Sequence, residues 1–88
     1  PVAQNQRLST AEDVALPITL VASDPENEAL SYEIVSGPEQ GTLSGTAPAL
    51  SYRPQAGFVG EDAFTFRASD ASGNVSNVAR VDIVAMAQ

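Results

Sequence analysis

The sequence predicts an all-β fold, a Greek-key sandwich of two sheets and about seven short strands. Three observations carry this prediction. Apolar residues alternate at a period of two in several separate segments, as they do in strands with one buried face. Clusters of Gly, Pro, Asp and Asn interrupt these segments at intervals of roughly ten residues. Nowhere do apolar residues recur at three-and-four spacing over the ten or more residues that a helix needs. With 88 residues the chain has room for one domain, residues 1–88, near the lower end of what buries a self-sufficient core.

The strands follow in order. Residues 2–10 supply a first, looser strand. In the second, 14–23, Val14, Leu16, Ile18, Leu20 and Ala22 form the apolar parity, and Pro17 on the other parity places this strand at a sheet edge or a bulge. Asp24-Pro25-Glu26-Asn27-Glu28 is a run of turn formers. The third strand, 29–35, carries Leu30, Tyr32 and Ile34 on one face. Gly37-Pro38 through Gly41 turns the chain into a short fourth strand, 41–44, and Gly45 to Pro48 turns it again into the fifth, 49–53, with Leu50 and Tyr52.

The block Tyr52-x-Pro54-x-x-Gly57-Phe58-x-Gly60-x-Asp62-x-Phe64-x-Phe66 is the most specific stretch. Pro54 lacks an amide donor and so ends strand pairing, while Gly57 and Gly60 permit backbone angles that residues bearing a Cβ resist. The chain therefore turns a corner from one sheet to the other. Phe64 and Phe66 then share one face of the sixth strand, 63–69, and that face belongs to the core. After the loop Asp70-Ala71-Ser72-Gly73-Asn74, Ala79, Val81 and Ile83 mark the last strand, 77–85.

Composition excludes several function classes. Eleven acids oppose four bases, all arginine, for a formal charge of -7; phosphate backbones and anionic lipid would repel such a chain, so no nucleic-acid partner and no membrane insertion is expected. Without cysteine there is no disulfide, thiolate nucleophile or zinc-thiolate site, and without histidine or lysine no hydroxyl has an obvious activating base. A paired-carboxylate hydrolase needs only two acids, but a sandwich this small offers no substrate cleft. The chain reads as a non-enzyme. No segment has the form of a secretion signal, so any such signal is expected outside these residues. Sugar-binding sandwiches use exposed aromatic platforms; here only Phe58 falls off the core parity. Asn74-Val75-Ser76 fits a glycosylation triplet that is common by chance.

The acids sort to two poles. Antiparallel strands carry the chain from end to end, so the loop around Asp24, Glu26 and Glu28 and the loop around Asp70 meet near the N-terminus. Glu12, Asp13, Glu61 and Asp62 gather at the opposite end. Carboxylates converging from different loops suit Ca²⁺, which takes six to eight oxygens in loose geometry. Asp24, Glu26 and Asp70 are the candidate ligands at the first pole, Glu12 and Asp62 at the second. Each also has a plainer reading: Asp24 before Pro25 opens a turn and accepts a nearby amide, and a carboxylate at a strand corner, such as Asp62, satisfies orphan backbone donors.

The run from Glu12-Asp13 through Asp24-Pro25-Glu26-Asn27-Glu28-Ala29-Leu30-Ser31-Tyr32, then Pro38-Glu39-Gln40-Gly41-Thr42-Leu43, the Tyr52 to Phe66 block and Ser69-Asp70 resembles bacterial cadherin-like and immunoglobulin-like tandem repeats. That resemblance implies a seven-stranded immunoglobulin-like (cadherin-like) β-sandwich, secreted or on the bacterial cell surface. It implies a spacer or adhesion module whose partners are neighbouring repeat modules, with surface glycans or proteins as further candidates. Ca²⁺ at the junctions would stiffen the array, Asp24, Glu26 and Asp70 serving the preceding linker and Glu12 and Asp62 the following one. Residues 1–5 and 84–88 lack the acids of the cadherin linker pattern, so a single module holds incomplete sites and binds Ca²⁺ weakly. In isolation a monomer is expected. The alternative is a carbohydrate- or protein-binding accessory module of an extracellular enzyme.

Overall fold

The computed structural model describes residues 1–26 and 28–87; Asn27 of the expected turn and Gln88 lie outside the described residues. Nine strand segments and no helix are present among them: β1 (Val2–Ala3), β2 (Gln6–Ala11), β3 (Leu16–Thr19), β4 (Ala22–Ser23), β5 (Ser31–Ser36), β6 (Gly41–Thr46), β7 (Ala49–Pro54), β8 (Gly60–Ser69) and β9 (Ala79–Met86). They form a four-stranded sheet in the order β2-β9-β8-β5, a three-stranded sheet β3-β7-β6, and the small pair β1-β4. All pairings are antiparallel except β2 with β9, which run parallel.

The seven expected strands are all present, but the first two are each split. The second strand breaks after Thr19 because its donors change partners. The Leu20 amide donates to the Pro48 carbonyl, the Val21 carbonyl accepts from Gln4, and Ala22–Ser23 then pair with β1. The first strand likewise begins beside β4 and crosses to β9. Pro17 sits on β3, an edge of its sheet, facing solvent, where a missing donor costs no ladder bond.

The core lies between the sheets. Along β8 burial alternates strictly from Asp62 to Ala68, with Phe64 and Phe66 at 1% and 0% exposure. Val81 and Ile83 on β9 face Ile18, Leu50 and Tyr52 from the other sheet. Each large apolar side chain so buried contributes about 1.5–3 kcal/mol, and with no disulfide this packing must carry the fold.

Two expected core residues are in fact exposed. Val14 is 43% exposed because the strand starts only at Leu16, leaving Val14 in the turn between β2 and β3; Ile34 is 37% exposed because β5 is a sheet edge, where the neighbour on one side is missing. The fourth strand is also longer than expected, running to Thr46, so Gly45 lies within it and the tight turn to β7 is Ala47–Pro48, joined by a cis peptide bond.

The corner after Pro54 crosses from the three-stranded sheet to the four-stranded one, as expected. The molecule measures 44 × 19 × 17 Å. β8, ten residues at about 3.3 Å each, runs along its length. β1 lies at one pole beside β4, while Met86 and Ala11, register partners, lie at the other.

Candidate functional site

The loop after β4 winds around one carboxylate. Asp24 accepts the Glu26 amide on Oδ1 at 3.0 Å and the Glu28 amide on Oδ2 at 3.1 Å, the local bonding that Asp favours at a turn. The loop after β8 repeats the device. Asp70 accepts the amides of Ser72 and Asn74 on Oδ1 at 3.0 and 2.9 Å, and the Asn74 side-chain amide on Oδ2 at 3.2 Å. Desolvation of Asp70 works to raise its pKa, but the bonds from Asn74 and Ser72 outweigh it and hold the carboxyl below its usual range. Gly73, at φ +91°, lets this loop close.

The two loops meet through Ser72, whose hydroxyl donates to both oxygens of Glu28 at 3.4 and 3.1 Å. As a result Asp24, Glu28 and Asp70, all half-buried, each place a carboxylate oxygen within 4.8 Å of the others. Among the described residues this is the one such group of three. Three negative charges from two loops form an oxygen-only donor set, suited by hardness and by loose geometry to Ca²⁺, which completes six to eight ligands with water or other carbonyls.

The sequence reading placed Asp24 and Asp70 in this group, and the structure brings them together. Glu26 stands outside it, exposed, and joins the loop's bonding through its backbone amide, which donates to Asp24. Glu28 takes its place. The signal for it was present in the acidic run, but which acid of a turn points inward depends on the turn's bonding, and Asp24 fixes that by capturing two amides.

Glu12 and Asp62 form no comparable group. The Glu12 amide donates to the Met86 carbonyl and so ties the turn to the last strand. Asp62 is buried, 8% exposed, and accepts four bonds: the Glu39 amide and its neighbour Ala63 on Oδ1, the Gln40 amide and the Tyr52 hydroxyl on Oδ2, all at 2.7–2.9 Å. Burial alone would raise its pKa. The bonds from Tyr52, Glu39, Gln40 and Ala63 more than offset that and hold it ionised below the ordinary carboxylate range. Burial and the adjacent Asp62 charge push the Tyr52 phenol far upward. Asp62 therefore locks three elements together: the turn before β6, strand β7 and strand β8.

Four of the five aromatic rings, Tyr32, Tyr52, Phe64 and Phe66, are committed to the core rather than to a surface. Tyr52 is wholly buried, Tyr32 is half-buried against Phe66 with ring centres 6.4 Å apart, and Phe58 is half-buried beside Gly60. A shallow groove crosses the outer face of the four-stranded sheet, lined by Arg7, Glu61, Thr65, Arg80 and Asp82 among others. Its charges pair within the face, Arg7 with Glu61 at 3.5 Å and Arg80 with Asp82 at 2.7 Å.

Comparison with known proteins places these features in context. A family model described as a bacterial Ig domain matches residues 1–84. Among solved structures, an endo-fucoidan hydrolase from glycoside hydrolase family 107 is 28% identical with a TM-score of 0.73, and a variant of that enzyme gives 28% and 0.72. In both, the similarity covers 97% of this chain but only 13% of the hydrolase chain. A 2,6-sialyltransferase from Photobacterium sp. shares the fold, with a TM-score of 0.63 at 12% identity over 98% of this chain and 18% of the enzyme. A search of curated proteins found no match.

Proposed function

The chain belongs to the bacterial Ig domain family, and from that premise we propose that it is a non-catalytic, extracellular module that spaces or joins neighbouring modules in a longer protein, with Ca²⁺ at the Asp24, Glu28 and Asp70 group stiffening the junction. The observation that carries this reading is that the chain enters at the pole of β1 and leaves the last strand at Met86, at the opposite pole of a 44 Å rod. Modules joined through such ends extend in line, as a spacer requires. The three carboxylates lie at the pole where the chain enters, so a preceding module could supply the remaining oxygens.

A second reading is an accessory module of an extracellular polysaccharide-degrading enzyme. It is favoured by the 28% identity to one segment of an endo-fucoidan hydrolase. The two readings share the same physical role, a rigid separator, and differ in what is separated. The buried and half-buried aromatic rings argue against a sugar platform on this module. Solution scattering of two copies joined head to tail, with Ca²⁺ or with chelator, tests the spacer reading: an extended pair supports it, and a folded-back pair rejects it.

A further inference from the structure

Charge is unevenly placed on this molecule. The three-stranded sheet contains none of the eleven acids, which all lie on the four-stranded sheet or in connecting segments. Strand alternation turns the hydroxyls of Thr19, Thr42, Ser44, Thr46 and Ser51 and the guanidinium of Arg53 to its outer face. Register sets Thr42 beside Arg53 and Ser44 beside Ser51. None of these hydroxyls is engaged in a hydrogen bond among the described residues. Arg53 also differs from the other arginines: Arg7, Arg67 and Arg80 each pair with an acid, whereas Arg53 pairs with none among the described residues.

We propose that this face binds an anionic polysaccharide bearing carboxylates, a polyuronate, with Arg53 gripping a carboxylate and the hydroxyl rows bonding the sugar hydroxyls. The inference deepens the accessory-module reading and rests on it. A guanidinium meets a planar carboxylate through two parallel bonds, and Arg53 has no internal acid to give up first. Ring stacking is not offered, since no aromatic residue points outward from this sheet. A protein partner fits less well, because only Pro17 and Ala49 give the face apolar surface to bury. The acids of the four-stranded sheet stand across the sandwich, about 10 Å or more away, beyond the ~8 Å over which charge acts at physiological salt. A net charge of -7 therefore leaves this face open to a polyanion.

Amide NMR titration of the full chain with a short oligogalacturonate, in chelator, tests the proposal. Chelator removes any Ca²⁺ bridge between the sugar and the Asp24, Glu28 and Asp70 group. The expected result is shifts concentrated on β3, β6 and β7, weakened by added salt. Arg53→Ala should lower affinity by about tenfold or more, the effect of one charge-assisted bond. Ser44→Glu, which puts an acid on an exposed position of the same face, should do the same and keeps the test decisive if Arg53→Ala disturbs β7. Arg67→Ala, on the other sheet, should change nothing. The proposal is overturned by an absence of shifts, by shifts confined to the four-stranded sheet or the poles, or by unchanged affinity in Ser44→Glu. Equal binding of a neutral oligoglucose, or tighter binding of a sulfated one, would overturn it as well. Any of these results leaves the separator role to its scattering test, which measures shape with no sugar present.

Discussion

Asp62→Asn removes the charge at the sheet-to-sheet corner while keeping the shape of the side chain. In the native protein Oδ2 accepts from the Gln40 amide and the Tyr52 hydroxyl. The amide nitrogen that replaces it can donate to a rotated Tyr52 hydroxyl but leaves the Gln40 N–H facing a donor. The bonds retained on Oδ1, from Glu39 and Ala63, lose their ionic character. An orphaned donor costs about 1–3 kcal/mol, and loss of charge from the remaining bonds adds on the order of 1 kcal/mol. The total, about 2–4 kcal/mol, is a large share of the roughly 4–13 kcal/mol available to a domain of this length. With a urea m-value near 1 kcal/mol/M, the denaturation midpoint at pH 7 should fall by about 2 M or more. The pH dependence separates this from a packing defect. Asp62 has a depressed folded pKa, so its contribution is complete above the unfolded value of about 3.9 and is lost as pH falls through the folded value. The gap between native and Asn protein should therefore narrow at pH 2. Equal midpoints at pH 7, or a gap that persists undiminished at pH 2, would refute the reasoning.

Other outcomes follow from the same geometry. Gly41→Ala would place a Cβ 2.5 Å from the Arg53 carbonyl and 2.7 Å from the Tyr52 ring, whereas Gly37→Ala meets nothing within 4 Å; thermal melts should show a loss of about 1–3 kcal/mol or more for the first and almost none for the second. Tyr52 has a raised phenol pKa, so the unfolded chain loses that proton first, near pH 10, and stability declines above it; urea titrations at pH 8 and 11 should show this decline in the native protein and a smaller one in Tyr52→Phe. Millimolar Ca²⁺ should raise the melting temperature over that in chelator, and Asp24→Asn should abolish the gain; identical melts would remove the ion from the account.

The parts of the fold legible in the sequence are those set by local alternation. Phe64, Phe66, Val81 and Ile83 announce the inner faces of β8 and β9 because a period of two leaves one choice of side. Pro54 and the glycines after it mark the corner because few other residues permit it. Val14 and Ile34 mislead for a shared reason: alternation reports parity, not whether a neighbouring strand covers the residue. The split of the second strand was not legible either, since it depends on Gln4 and Pro48, distant in sequence. The same holds for the candidate site. That Asp24 and Asp70 share a pole follows from strand direction alone, but the exchange of Glu26 for Glu28 follows from two amide bonds to Asp24 and from Ser72, which only the folded loops bring into reach.

The central claim is that this domain is a straight separator whose ends leave from opposite poles. Small-angle scattering of two copies joined head to tail in Ca²⁺ tests it most directly. The account predicts a maximum dimension approaching twice the 44 Å length of one domain. A value close to that of a single domain, with the two copies packed side by side, would contradict it.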